Sequence, residues 1–155
     1  FTHINIAADF VARLSEHPNI AGIKDSSANV IQLQELLNRV AGDFSVLVGT
    51  AGVLFSGLTI GCAGGVCALA NVAPDACVKI FDLVKAGDLD AARQLQLKMI
   101  PVNQAVTAIY GVPGLKTAMD MCGYFGGEPR MPLLPSSEQE KSEIEAILKK
   151  AGLLN

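Results

Sequence analysis

Apolar positions along the first half of the chain switch repeatedly between helical and strand spacing. Phe10, Val11 and Leu14 fall on one helical face, which predicts a helix over 7–16. His17-Pro18-Asn19 ends it, because Pro18 drives the residue before it out of the helical region. Ile20-Ala-Gly-Ile-Lys24 is short and apolar up to its last residue and predicts a strand. Asp25, Ser26 and Ser27 then offer N-cap oxygens to a helix carrying Val30, Ile31, Leu33, Leu36, Leu37 and Val40. Phe44 to Gly49 predicts a second strand, 52–60 a compact helix and 63–69 a third strand. Strands apolar on both faces that alternate with helices indicate an α/β fold with a parallel sheet.

Beyond Asn71 only helical spacing remains. Pro74 opens a helix to about Lys85, Gly87 ends it, and Asp88 begins a long one. In that helix Leu95, Met99, Val102, Val106 and Ile109 alternate steps of four and three, a stripe that something must cover. Core packing is the simpler reading and an oligomer seam the alternative. Pro101 predicts a kink, Tyr110-Gly-Val-Pro-Gly114 a break, 115–122 a further helix and 123–135 a loop. Ser136, Ser137 and Glu140 open a final amphipathic helix in the manner of a capping box, with Ile144, Ile147 and Leu148 on its apolar face.

Three parallel strands leave two unpaired edges that an apolar sheet does not tolerate. A closed (β/α)8 barrel takes about 250 residues. The expected fold is therefore the C-terminal half of a TIM barrel. Residues 1–72 are its last βα units, and residues 73–155 are the final barrel helix plus a helical extension of the same domain.

Composition narrows the function. The chain has 155 residues, with 12 Lys and Arg against 15 Asp and Glu, so its net charge of −3 argues against nucleic-acid binding. Half the residues are hydrophobic and 17% are charged, below the roughly 25% of an average soluble protein, which indicates a large core rather than disorder. No apolar run approaches the ~18 to 20 residues of a membrane span. Cys62, Cys67, Cys77 and Cys122 form neither a Cys-x-x-Cys pair nor a dense disulfide framework, so a reducing compartment is expected. The two histidines, His3 and His17, are too few and too badly spaced for a metal centre, and no metal or other cofactor is expected. No targeting segment is visible, and the cytoplasm and the mitochondrion both remain open.

Lys24 carries the most chemical information. It ends an apolar strand, where burial strips water from an ammonium, and a helix N-terminus is expected just after it. Both disfavour its charge, so the amine is expected to titrate closer to neutrality and to attack a ketone, forming a Schiff base. In α/β barrels the reactive groups sit at the carboxyl ends of strands, where this lysine falls. The plainer alternative is a lysine that reaches solvent or pairs with Asp25. Gly49-Thr50-Ala51-Gly52, at the end of the second strand, has side chains small enough for backbone N–H groups to approach a carboxylate, and is otherwise an ordinary βα turn. Gly64-Gly65 is either a tight barrel layer or a pocket wall. Asp25 reads as a cap before a base, Cys67 as inert filling before a nucleophile, and Tyr110 and Tyr124 as packing residues with hydroxyls at the surface.

Three ordered stretches then make a recognisable set: His17-Pro-Asn-Ile-Ala-Gly-Ile-Lys-Asp-Ser-Ser27, Val48-Gly-Thr-Ala-Gly52 and Gly64-Gly-Val-Cys-Ala-Leu-Ala-Asn-Val-Ala-Pro74. They resemble the C-terminal half of the dihydrodipicolinate synthase and N-acetylneuraminate lyase family. The likeness continues through Gly111-Val-Pro-Gly-Leu-Lys116 and Arg130-Met-Pro-Leu-Leu-Pro135, covering essentially the whole chain. The resemblance implies a (β/α)8 barrel with extra C-terminal helices, commonly tetrameric, that binds pyruvate or another small 2-oxo acid as a Schiff base and breaks or makes the adjacent carbon–carbon bond. It makes Lys24 the Schiff-base lysine and Gly49 and Thr50 positions lining the bound acid. Ser26 joins them as a substrate-binding position, and Val66 as a strand position whose backbone faces the lysine.

Thr50-Ala51-Gly52 lacks the acidic residues with which sialic-acid lyases grip a polyol tail. The Lys24-Asp25-Ser26 and Cys67-Ala-Leu-Ala-Asn71 wording is closest to 4-hydroxy-2-oxoglutarate aldolases. Dihydrodipicolinate synthase and 2-keto-3-deoxy sugar acid aldolases are the alternatives, and a non-catalytic barrel fragment or interaction module is the reading outside catalysis. The family's proton-relaying tyrosine and its Gly-Thr-Thr-Gly-type carboxylate loop match no segment here, so a complete active site is expected only in a longer polypeptide.

Overall fold

A computed structural model describes residues 4–155; His3 lies outside the described residues. Helix α1 spans Ala8–Ser15 and buries Ala8, Val11 and Ser15. Phe10, expected on that buried face, is instead half exposed, because the inward face follows positions 8, 11 and 15.

Strand β1 is Gly22–Asp25, so Lys24 is not its last residue. Helix α2, Val30–Arg39, is not capped by Asp25, Ser26 or Ser27. Its N-cap is Asn29, whose side chain accepts the N–H groups of Ile31 at 3.0 Å and Gln32 at 3.2 Å. Asp25 turns back instead. One carboxylate oxygen accepts the Ser27 N–H at 2.8 Å and the Ser27 hydroxyl, and the other accepts Gln32 Nε2 at 2.6 Å. It fixes the turn and ties it to α2, so the expected role of Asp25 as the helix cap is corrected.

Strand β2 is Ser45–Val48 and strand β3 only Gly64–Gly65. The third strand was expected over 63–69, but β2 ends at Val48 and offers no further partner. After the Val66 N–H bonds the Val48 carbonyl at 2.8 Å, the chain winds into a short 3-10 turn over Ala68–Asn71. The compact helix expected over 52–60 is a 3-10 turn, Ala51–Val53, followed by α3, Leu54–Thr59. The three strands are parallel in the order β1-β2-β3, as the sequence pattern implied.

One face of this sheet is packed. Ile23, Val46 and Val48 meet Leu33 and Leu36 of α2, Leu54 and Leu58 of α3, and Ile80 of helix α4, Pro74–Lys85. Fully burying each such side chain contributes about 1.5–3 kcal/mol. A second cluster holds the helical region together: Leu69, Met99, Val102, Val106, Ala118, Ile144 and Leu148.

Helix α5 spans Leu89–Gln104 behind its Asp88 cap and continues past Pro101. The irregularity expected there comes later, as a widened π-type turn over Ala105–Ile109. The α5 stripe is core for Leu95, Met99, Val102 and Val106, whereas Ile109 is 59% exposed. Gly111, at φ 57°, makes the break, and α6 runs from Gly111 to Met121, starting four residues earlier than expected. Ser137 and Glu140 form the expected capping box of α7, Glu138–Lys150. Among the described residues no helix is long and apolar enough to cross a membrane.

Candidate active site at the strand ends

Side chains alternate across a strand, so the register of the sheet decides which residues share a face. Lys24 pairs with Leu47, and Leu47 with Gly64. Ile23, Val46 and Val48 occupy the opposite, helix-packed face, which leaves Lys24, Leu47 and Gly64 in one row on the open face. Two residues further along each strand come Ser26, Gly49 and Val66, the next row toward the carboxyl ends on the same face.

Contacts support that second row. The Gly49 N–H bonds the Asp25 carbonyl at 2.6 Å. A Cβ on Gly49 would meet Ser26 Cα at 2.7 Å and the Asp25 carbonyl at 2.8 Å, so this close approach requires glycine. Val66 is 56% exposed. Thr50 follows as N-cap of the 3-10 turn, its hydroxyl oxygen accepting the Gly52 N–H at 3.3 Å. Lys24, Ser26, Gly49, Thr50 and Val66, separate in sequence, thus gather at the carboxyl edge of three adjacent strands.

The expected environment of Lys24 needs correction. Its side chain is exposed rather than buried. The next helix begins six residues later, at Val30 beyond the Asp25 turn, rather than directly against it. The reason is geometric: the strand residues packed in the first core cluster, Ile23, Val46 and Val48, lie on the other face, and the row that holds the lysine is at most partly covered.

Behind the sheet, Cys67 lies with Cys77 in a cavity of about 260 Å³ walled by Leu54, Gly65, Ala70, Pro74, Val78 and Phe81. Burial pushes the Cys67 thiol up to about 11; nearby Cys77 adds to the shift and the Lys24 charge opposes it. A thiol held protonated in this way is a poor nucleophile, consistent with its reading as filling. The Tyr110 hydroxyl donates to the Glu143 carboxylate, which raises the tyrosine and lowers the carboxyl. Among the described residues no group of three or more His, Cys, Asp or Glu is placed to hold a metal.

Two polar residues of α5 escaped the sequence reading. Gln96 donates from Nε2 to the Ala51 carbonyl at 2.9 Å and accepts the Phe55 N–H at 2.9 Å. Asn103 reaches Thr50 Oγ1 from Nδ2 at 3.4 Å. The signal was present: Ala92, Gln96, Met99 and Asn103 recur at core spacing, so two amides stand where the helical period calls for apolar side chains.

The model of the dihydrodipicolinate synthetase family matches residues 1–151. A 4-hydroxy-tetrahydrodipicolinate synthase of Thermodesulfovibrio yellowstonii is 33% identical over 99% of this chain and 53% of its own length. One from Geobacter sulfurreducens gives the same figures. The chain thus spans about half the length of the curated relatives it matches. Among solved structures, a dihydrodipicolinate synthase of Thermotoga maritima superposes with a TM-score of 0.87 at 28% identity, covering 97% of this chain and 52% of that one. A prophage protein of the dihydrodipicolinic acid synthase family from E. coli K12, solved in complex with pyruvate, gives 0.86 at 26% identity over 96% and 52%.

Proposed function

This chain belongs to the dihydrodipicolinate synthetase family, and we propose that the protein it represents is a class I lyase acting on pyruvate through a Schiff base at Lys24. The observation that carries this reading is the single open face that presents Lys24 beside Ser26, Gly49 and Val66, with Thr50 at its rim. The small residues there leave room for a compact keto acid.

The chemistry follows from the amine. The Lys24 nitrogen attacks the keto carbon, the oxygen leaves as water, and a protonated imine forms. The imine draws electrons from the neighbouring carbon. Loss of a proton from the methyl group gives an enamine that bonds to an aldehyde carbon; run backward, the same sequence cleaves that bond. Hydrolysis then frees Lys24.

The named relatives favour condensation of pyruvate with aspartate semialdehyde over the 4-hydroxy-2-oxoglutarate cleavage expected first, and that preference is corrected accordingly. The Lys24-Asp25-Ser26 and Cys67-to-Asn71 wording keeps the cleavage as a second reading. Turnover of both substrates by the intact protein decides between them. Faster condensation supports the first, faster cleavage the second, and equal rates in wild type and Lys24→Ala remove both. Assembly as a tetramer belongs to the same proposal, and sedimentation of the intact protein tests it.

A further inference from the structure

Helix α5 fastens the turn after β2 with two amides seven residues apart, nearly two helical turns and so on the same side of the helix. Gln96 is satisfied at both ends of its carboxamide, by the Ala51 carbonyl and the Phe55 N–H. Asn103 is not. It is 6% exposed, its Nδ2 faces Thr50 Oγ1, and among the described residues its Oδ1 has no hydrogen-bond partner. Buried polar groups are nearly always paired, so an amide held half-used beside a strand end calls for an account.

The account lies in the hydroxyl it touches. A threonine hydroxyl has one proton to give and two lone pairs to fill. At Thr50 both acceptor positions are taken, by the Gly52 N–H at 3.3 Å and by Asn103 Nδ2 at 3.4 Å. The remaining capacity is the O–H proton, which must point away from both donors. We propose that Asn103 is a positioning residue: by donating to Thr50 it turns the Thr50 hydroxyl into a hydrogen-bond donor aimed at the open strand ends, for an acid or carbonyl oxygen bound there. The opposite amide orientation would accept the Thr50 proton and remove that donor. The inference rests on the keto-acid reading for the identity of the ligand, and on the two N–H contacts to Thr50 Oγ1 for the role of the hydroxyl as donor.

Two measurements on the intact protein separate these parts. In the first, pyruvate saturation is compared among wild type, Asn103→Asp, Thr50→Val and the double variant. The carboxylate introduced by Asn103→Asp can only accept, so this variant is expected to raise KM about tenfold or more with kcat reduced less than about threefold. Because the carboxylate acts through the hydroxyl, T50V/N103D should be no worse than T50V. An unchanged KM in N103D, or effects that multiply in the double variant, overturns the proposal. In the second, the Asn103 side-chain amide is followed by NMR. Its hydrogen-bonded proton should move upfield in Thr50→Val and hold its place in Thr50→Ser; a signal indifferent to both overturns the contact itself. Wild type that shows no saturation by pyruvate removes the functional reading, and the NMR result still decides the role of Asn103.

Discussion

The two faces of the three-stranded sheet follow opposite rules. On one, Val46 and Val48 are buried at 1% and 0% exposure under α2, α3 and α4; on the other, Lys24 is exposed and Leu47 only partly covered. The packed face is built by burial, with apolar side chains, close helices and a buried Asp25 whose carboxylate is bonded to Ser27 in its own turn and to Gln32 of α2. The open face has chemistry where the other has packing. Beside Leu47 and Val66 its residues are an amine, a hydroxyl and two glycines, which contribute little to a core and suit a small ligand.

Adjacent positions in β2 provide the strongest contrast. Val48→Asp would bury an unpaired charge and is expected to cost roughly 3–5 kcal/mol in denaturant unfolding. Leu47→Asp, one residue away on the open face, is expected to cost less than about 1 kcal/mol. Similar losses at the two positions would mean that the faces are not distinct.

The two ends of the sheet differ as well. Gly49→Ala would drive a methyl group into the backbone of Asp25 and Ser26, and the overpacking is expected to cost about 1–3 kcal/mol. At the opposite end, a Cβ on Gly42 meets nothing within 4 Å, so Gly42→Ala should lie within about 0.5 kcal/mol of wild type. Urea midpoints of the two variants check this.

The smallest effect concerns the thiol behind the sheet. With Cys67 raised from 9.0 to about 11, its alkylation should be slow at pH 8 and quicken as pH climbs toward 11. The sign of the linkage follows from a pKa higher folded than unfolded: the contribution to stability is complete below about pH 9 and is lost as pH rises from 9 toward 11. Rapid labelling of Cys67 in folded protein at pH 8 would show that the packed face is open.

Much of this was readable from the residues. The strand and helix order, the parallel sheet and the Ser137–Glu140 capping box follow from local rules of spacing and capping. The environment of Lys24 was not readable, because burial depends on what lies across the open face and β1 carries no information about that. The N-cap at Asn29 was missed because Asp25, an equally good cap by residue type, spends its oxygens on Ser27 and Gln32. Only tertiary contact decides between them. Asn103 was missed because an amide at a core position gains meaning only once Thr50 is placed against it.

The central claim is that the amine on the open face is the one that bonds to the keto acid. Intact protein incubated with pyruvate, reduced with borohydride and digested tests it most directly. The account predicts a carboxyethyl group on Lys24 in the peptide spanning β1, and none on the exposed lysines Lys79, Lys98 and Lys149. Folded protein with Lys24 unmodified, or with label spread evenly over the exposed lysines, would contradict it.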